Sequence, residues 1–297
     1  MSLVINNNLM AANASRNLSQ SYKALGTSIR RLSSGLRVGT AADDAAGLAV
    51  RELMRSDIAS LGQGVRNAND AISMIQTADG ALQVIDEKLI RMKELAEQAS
   101  TGTYNSDQRL IIDSEYQAMA SEITRIANAT DFNGIYLLNG NLSSDTHVGT
   151  GLVSTGKLKV HFGSGNDSKE DYYYVKISNS TASAFGVGNG ATATSAGYTI
   201  STQSAAQNAL DGIKNAIVSK DKIRAALGGI QNRLENTITN LQVQAENLQA
   251  AESRISDVDV SLEMTEFVRN QIMSQSAVAM LAQANSLPRM AMTLLGG

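Results

Sequence analysis

The residues near the carboxyl end, from Phe267 to Leu295, constrain this chain more than any other stretch. Met273, Ala277, Met280, Ala284, Leu287, Ala291 and Leu294 recur at alternating steps of four and three, which aligns them in one seam along an α-helix. Only Arg269 and Arg289 carry charge there. An isolated helix this apolar has nothing to bury its face against, and helices in water draw most of their stability from such burial. The tail therefore requires partner helices, from its own chain or from other copies.

The amino end repeats the rhythm. Leu18, Tyr22, Leu25, Ile29, Leu32 and Leu36 follow the same steps, and Val4 and Ala11 extend the ladder backward. The seam ends in SSGLRVGTAADDAAG, where Gly35 and Gly39 break the helix and Asp43 and Asp44 suit the positive end of the next one. That capping role outweighs a paired-carboxylate catalytic reading of the two aspartates. The next helix is expected from about Ala45 to Ala99, where Leu61, Ala68, Ile75, Leu82, Leu89 and Ala96 sit seven apart. Its companion positions take two steps of three near Gly80, a stammer that overwinds a supercoil without ending it. Such a helix is roughly 80 Å long, a rod rather than an ordinary globular helix.

A third helix follows over Ser106–Ala129, and its short link to the rod implies an antiparallel helical hairpin. DFNGIYLLNGNL then carries two Asn-Gly pairs around an apolar run, a strong hairpin signal. Residues 141–203 are rich in Gly, Ser, Thr and Asn with strand-like KLKVHF and DYYYVKI, and are expected to form a small loop-rich β region on the surface. Asn141, Asn166 and Asn179 head N-x-S/T triplets, which arise readily in such a composition. Helical rhythm returns from Ser204 to Ile255 with Leu227, Leu234, Leu241, Leu248 and Ile255 in a strict seven-residue ladder. SDVD, from Ser256 to Asp259, offers a start for the tail helix, and Pro288 predicts a kink near Ala284.

Composition narrows the function. There is no Cys, which excludes disulfides, thiolate catalysis and Cys-based metal sites. A net charge of -3 indicates neither nucleic acid nor membrane as a partner, and no segment reaches the ~18 apolar residues of a membrane span. The amino end has no cleavable signal pattern, so export requires a route without one. Arg16, Lys23, Arg30, Arg31 and Arg37 precede the first acid, but the narrow apolar seam suits another helix better than a membrane surface or a mitochondrial presequence. GLVSTGKL, from Gly151 to Leu158, approaches a phosphate-binding loop and fails where Leu158 replaces the Ser or Thr and a strand follows. His147 and His161 have no metal-ligand spacing. No catalytic residue and no cofactor is expected. Met264, Met273, Met280, Met290 and Met292 read as coiled-coil core rather than as an adaptable binding surface.

RLSSGLRVGTAADDAAGLAV, Arg31 to Val50, and LAQANSLPRMAMTLLGG resemble the N- and C-terminal signatures of bacterial flagellin, and DFNGIYLLNG and ELAEQASTGT are similar too. The resemblance covers roughly the first 140 and last 90 residues in the right order. It implies an extracellular filament subunit exported unfolded through the flagellar type III channel. Its partners would be other copies of itself, an export chaperone holding the tail, hook-associated junction proteins and the filament cap. It also implies that Arg91, Leu95 and Glu115 could contact a host's Toll-like innate immune receptor, against the plainer reading that they belong to a solvated helix face. Lys93 and Glu97 depart from the pattern common around that patch.

The expected fold is mainly α: long antiparallel coiled-coil helices from the two halves of the chain, with a small β-hairpin-rich region between them. The expected division is 1–44 with 256–297 as a terminal tube-forming domain, 45–140 with 204–255 as a rod, and 141–203 as a variable surface region. The subunit-assembly seams are Leu18, Leu25, Ile29 and Leu32 with Met273, Met280, Leu287 and Leu294. A flagellar junction or adaptor protein is the alternative function, and a nucleotide-binding protein using Gly151 to Lys157 the enzymatic one.

Overall fold

The structure, a computed structural model, describes residues 8–148, 155–190, 192 and 195–295. The described residues form six helices: α1 (Leu9–Ser34), α2 (Ala45–Ser100), α3 (Ser106–Ala129), α4 (Ala182–Phe185), α5 (Gln203–Ser256) and α6 (Val260–Leu295). Between α3 and α5 lie β1 (Asp131–Phe132), β2 (Ile135–Tyr136), β3 (His147–Val148), β4 (Thr155–Gly156), β5 (Leu158–His161) and β6 (Tyr172–Val175), paired antiparallel in three two-stranded sheets. Two compact units form, Met1–Ile58 with Glu246–Gly297 and Ala59–Ala245, and their boundaries fall inside α2 and α5.

Local chemistry explains the helix ends. Asp44 accepts the Gly47 amide at 2.9 Å and so caps α2. Asp43 instead turns to Thr40 and to Arg30 at 2.9 Å, and the Thr40 hydroxyl followed by the Arg30 charge holds its carboxyl below the usual range. Asn105 and Gln108 form a reciprocal capping box at the start of α3. Gly35 closes α1 in the left-handed conformation, φ 73°. The first Asn-Gly pair makes the β1–β2 turn, with positive φ at both Asn133 and Gly134, as a two-residue type I′ connection requires. α6 continues through Pro288 as one helix.

The second unit has a dense core. α2 contributes Ala71, Met74, Ile75, Ala78, Leu82, Ile85, Leu89 and Met92, and α3 adds Ile112, Tyr116 and Ile123. α5 closes it with Ile213, Ala216, Leu227 and Leu234. The stammer expected near Gly80 is corrected: the buried positions Leu61, Gly64, Ala68, Ala71, Ile75, Ala78, Leu82 and Ile85 keep unbroken steps of three and four, because small Gly64 and Ala71 take the companion positions and Val65 and Ile72 are only partly buried. Tyr116 is buried and donates its hydroxyl to the Gly197 carbonyl at 2.6 Å, and burial raises its pKa well above the ordinary phenol value.

Residues 141–203 carry exposed loops, among them 164–170, but the region is also part of the core. Leu142, Val160, Phe162, Val175, Ile177, Phe185, Val187 and Ile200 are all buried. Val160 with Phe162, and Val175 with Ile177, share the inner face because side chains alternate along strands. The region sits so close to the helices that a Cβ on Gly64 of α2 would lie 1.9 Å from the Phe162 carbonyl oxygen. One on Gly212 of α5 would lie 2.8 Å from the Gly197 nitrogen. A few apolar residues at two-residue spacing are easily hidden in a Gly- and Ser-rich stretch, yet they suffice to complete a core that three helices leave open.

Candidate assembly interface

In the first unit α1 and α6 run antiparallel. Asn8 caps α1 by accepting the Ala11 amide at 3.0 Å, while its side-chain nitrogen donates to the Ala284 carbonyl at 2.9 Å. At the other end Arg31 reaches Glu263 at 3.5 Å. The following segments are also tied. Arg37 donates its amide to Ser256 at 2.6 Å and its guanidinium to the Ile255 carbonyl at 2.7 Å, and Val258 donates to Gly35 at 3.0 Å. Arg51 at the start of α2 pairs with Glu252 near the end of α5, Nε to Oε1 3.1 Å.

The covered face differs from the expected seam. On α1 the less exposed positions include Ala14, Leu18, Ser21, Leu25, Ser28 and Leu32, and on α6 they include Glu263, Phe267, Asn270, Ser274, Ala277, Leu281 and Ala284. Leu18, Leu25 and Leu32 thus keep their place, whereas Ile29 is 51% exposed, Met273 55% and Met280 67%. Ala277 and Ala284 of the expected seam are covered as well: small Ser28, Ser274, Ala277 and Ala284 let the helix axes approach and are buried, the leucines beside them are half-covered, and Ile29, Met273 and Met280 lie outside the contact. The reading of the methionines as core is corrected with them, since Met264 and Met290 are exposed as well. Val4 lies outside the described residues, as do the side chains of Leu287, Met292 and Leu294.

Those exposed side chains are not scattered. Met10, Asn17 and Ser21 of α1 and Met273, Ser276 and Met280 of α6 line a groove of about 440 Å³. Tyr22 lies on the opposite rim of α1, beside Ser15, Leu18 and Ser19. Two apolar strips therefore flank the α1–α6 contact, and a helix apolar on several sides is normally buried on several sides. Sequence reasoning found the helices and missed the groove. The available signal was the excess of apolar positions in α6, among them Leu262, Val268 and Ile272, beyond what one seam needs.

On α2 and α3, Arg91 and Glu115 do meet: Nε and Nη2 stand 3.0 and 2.8 Å from Oε1, with Glu94 bound at 2.9 Å. The carboxylates, Glu115 first, raise the pKa of the guanidinium further. Leu95 is only 1% exposed and belongs to the core, so the expectation that it shares a surface patch with them is corrected. It lies at a helical position that turns inward while Arg91, one turn earlier, lies at the edge.

Of the phosphate-loop resemblance, Gly151 to Ser154 lie outside the described residues, while Thr155 and Gly156 form β4 and Leu158 opens β5. His147 is occupied structurally, its Nδ1 2.8 Å from the Lys157 carbonyl. Among the described residues no group of three or more potential ligand side chains is placed to hold a metal, and no helix is long and apolar enough to cross a membrane.

A helical pair built from both ends of the chain that leaves apolar side chains uncovered fits the class of self-assembling structural proteins, since identical subunits with unclosed surfaces build open helical assemblies. Comparison makes the family specific. The bacterial flagellin N-terminal helical region matches residues 5–143 and the C-terminal helical region matches residues 210–295. The flagellin FlaB1 of Treponema pallidum (strain Nichols) is 39% identical over 99% of this chain and 100% of its own. The flagellin of Halalkalibacterium halodurans is 41% identical over the same shares, and that of Bacillus subtilis (strain 168) 39% identical over 98% and 99%. Among solved structures, a flagellar hook-associated protein from Vibrio parahaemolyticus shares the fold at a TM-score of 0.55 and 15% identity, over 72% of this chain and 100% of that one. The chain belongs to the bacterial flagellin family. It is a structural subunit of the flagellar filament, and it self-assembles.

Proposed function

We propose that the two apolar strips flanking the α1–α6 pair are the subunit contacts of the filament, with Met10, Ser21, Met273 and Met280 on one side and Tyr22 and Ile29 on the other. The groove carries this reading: it is apolar, it is built from both ends of the chain, and its Met10, Met273 and Met280 are more than half exposed within one subunit. Burying a methionine or isoleucine from water contributes about 1.5–3 kcal/mol, so a few such side chains per contact suffice to hold a polymer. Leu287 and Leu294 continue the same tail and are assigned to the same contacts. The terminal helices and the helical core take the roles of inner tube and shell in the assembled filament, and only the exposed side of the 141–203 region adds to the outward surface, since its inner side is buried in the core.

The same uncovered tail supports the remaining partners. Before assembly it is a segment for an export chaperone to hold, and the chain travels unfolded through the flagellar type III channel to the cell exterior. At the filament ends the strips meet hook-associated junction and cap proteins in place of a further copy. Contact with a host's Toll-like receptor narrows to the Arg91–Glu115 pair, which is exposed on the helix surface. Seeded polymerisation followed by light scattering and electron microscopy tests the central claim. Met273→Asp with Met280→Asp abolishes elongation while leaving the circular dichroism of the monomer unchanged; normal filaments from that variant would refute it.

A further inference from the structure

One inward position of α5 does not fit its core. Through the second unit the inward residues run Ile213, Ala216, Lys220, Ile223, Leu227, Ile230 and Leu234, at alternating steps of three and four. Stepping back by seven from Leu241, Leu234 and Leu227 lands on Lys220. This lysine is 2% exposed. Its Nζ stands 2.5 Å from Asp86 Oδ1 of α2 and 2.8 Å from Asp221 Oδ1 beside it. One turn further along α5, Arg224 forks onto Asp79 of α2, Nε to Oδ1 2.7 Å and Nη2 to Oδ2 3.2 Å.

Lys220 is buried while Asp86 is 28% exposed, and an ion pair that buries a charge is a poor source of stability, because the water given up offsets most of the attraction and apolar replacements of similar volume are often neutral or stabilising. What a single polar residue at a core position of a coiled coil does well is to select one alignment over others. α2 and α5 need such selection. Both carry apolar residues every seven positions, so sliding one past the other by a heptad, about 10 Å, replaces apolar neighbours with apolar neighbours along the contact.

The charges respond differently. At seven-residue steps the α2 column through Asp86 reads Ile72, Asp79, Asp86, Lys93. Lys220 is level with Asp86 and Arg224 with Asp79, as antiparallel helices require. A heptad slide one way brings Lys220 level with Lys93. A slide the other way brings Arg224 level with Ile72 and leaves Asp86 level with Ile213. Only the observed alignment gives both cations a carboxylate and both carboxylates a cation.

We infer that Asp79, Asp86, Lys220 and Arg224 are a register clasp, which selects one heptad alignment of α2 and α5 without contributing net stability. The chain has no cysteine, so a pair introduced at exposed Gln76 of α2 and Lys214 of α5 takes spin labels cleanly in the full-length protein. The labels are offset along the axis, so a heptad slip moves their separation by up to about 10 Å. In the parent chain one distance is expected. In the variant Asp79→Asn, Asp86→Leu, Lys220→Met, Arg224→Gln, refolded from denaturant, a second population is expected at the slipped distance, with a thermal midpoint no lower than the parent's. Should that variant not fold, Asp86→Leu with Lys220→Met alone carries the test with the same two readings. Asp79→Asn with Arg224→Gln, which keeps the buried pair, retains a single distance. A single native distance in the folded variant overturns the inference, and so does a large fall in midpoint without slippage, which marks the pairs as stabilising rather than selecting.

Discussion

The α1–α6 pair and the α2–α3–α5 core are written in the same seven-residue rhythm, yet their surfaces differ. In the core, ladder residues such as Leu82, Leu89 and Leu234 are fully buried, because a third helix and the strand region cover the sides that two helices leave open. In the terminal pair, Ile29, Met273 and Met280 stay in water although they satisfy the pattern equally well. The difference teaches that a heptad pattern specifies which residues are available for burial, and that the number of partner elements decides which of them are buried.

The strongest way to break this comparison is to remove the tail. Deleting residues 273–297 is expected to abolish polymerisation altogether, seen as loss of seeded light scattering, while far-ultraviolet circular dichroism retains the helices of the core. Loss of those helices as well would show that the two regions are not separately stabilised. Next in size, Leu89→Ala in the core is expected to cost about 2–5 kcal/mol in chemical denaturation, from lost burial plus the cavity left behind. Leu18→Ala on the half-covered face of α1 is expected to cost about 1 kcal/mol, since much of its surface is already in water. Equal losses would erase the distinction.

A smaller effect is electrostatic. The Arg224 guanidinium, followed by the Gln83 amide and the charges of Arg224 and Lys220, holds the Asp79 carboxyl below its ordinary value of 3.8. A carboxyl depressed in the folded state contributes stability above its unfolded pKa and loses it as pH falls through the folded one. Asp79→Asn alone leaves Arg224 without its carboxylate, so the thermal midpoints of the parent and of this single variant should differ at pH 7 and converge as pH falls below 3.8 through the lower folded pKa. The pair is partly solvated, so the difference stays below about 1 kcal/mol. Smallest of all in stability, Met280→Gln is expected to shift unfolding by under ~0.5 kcal/mol, because nothing in the single subunit covers that side chain. The same change raises the protein concentration needed for filament growth, measured by sedimentation, and this opposition between stability and assembly is what sharpens the contrast.

Much of the fold was legible because its signals are local. Asn105 with Gln108, Asp44 ahead of Gly47, and Asn133 with Gly134 each act within three residues, and the limits of α3 follow from such caps. Leu95 misled because the family resemblance assigns a role to a position without saying which way its side chain turns. Residues 141–203 misled because their core-forming Val160, Phe162, Val175 and Ile177 are few and sit among glycines and serines.

Sequence alone determined the five long helices, their order, the antiparallel return of the chain and membership of a family that builds filaments, since periodicity, caps and signature motifs are properties of neighbours along the chain; the short α4 was not among them. Only the tertiary structure decided that Ser28, Ser274, Ala277 and Ala284 are buried where α1 meets α6, that Met273 and Met280 remain outside that contact, and that the lysine in the ladder of α5 meets Asp86. These depend on how closely helix axes approach and on which side chains then reach each other. Steric fit and desolvation set such distances between residues far apart in the chain, where spacing along the sequence carries no information.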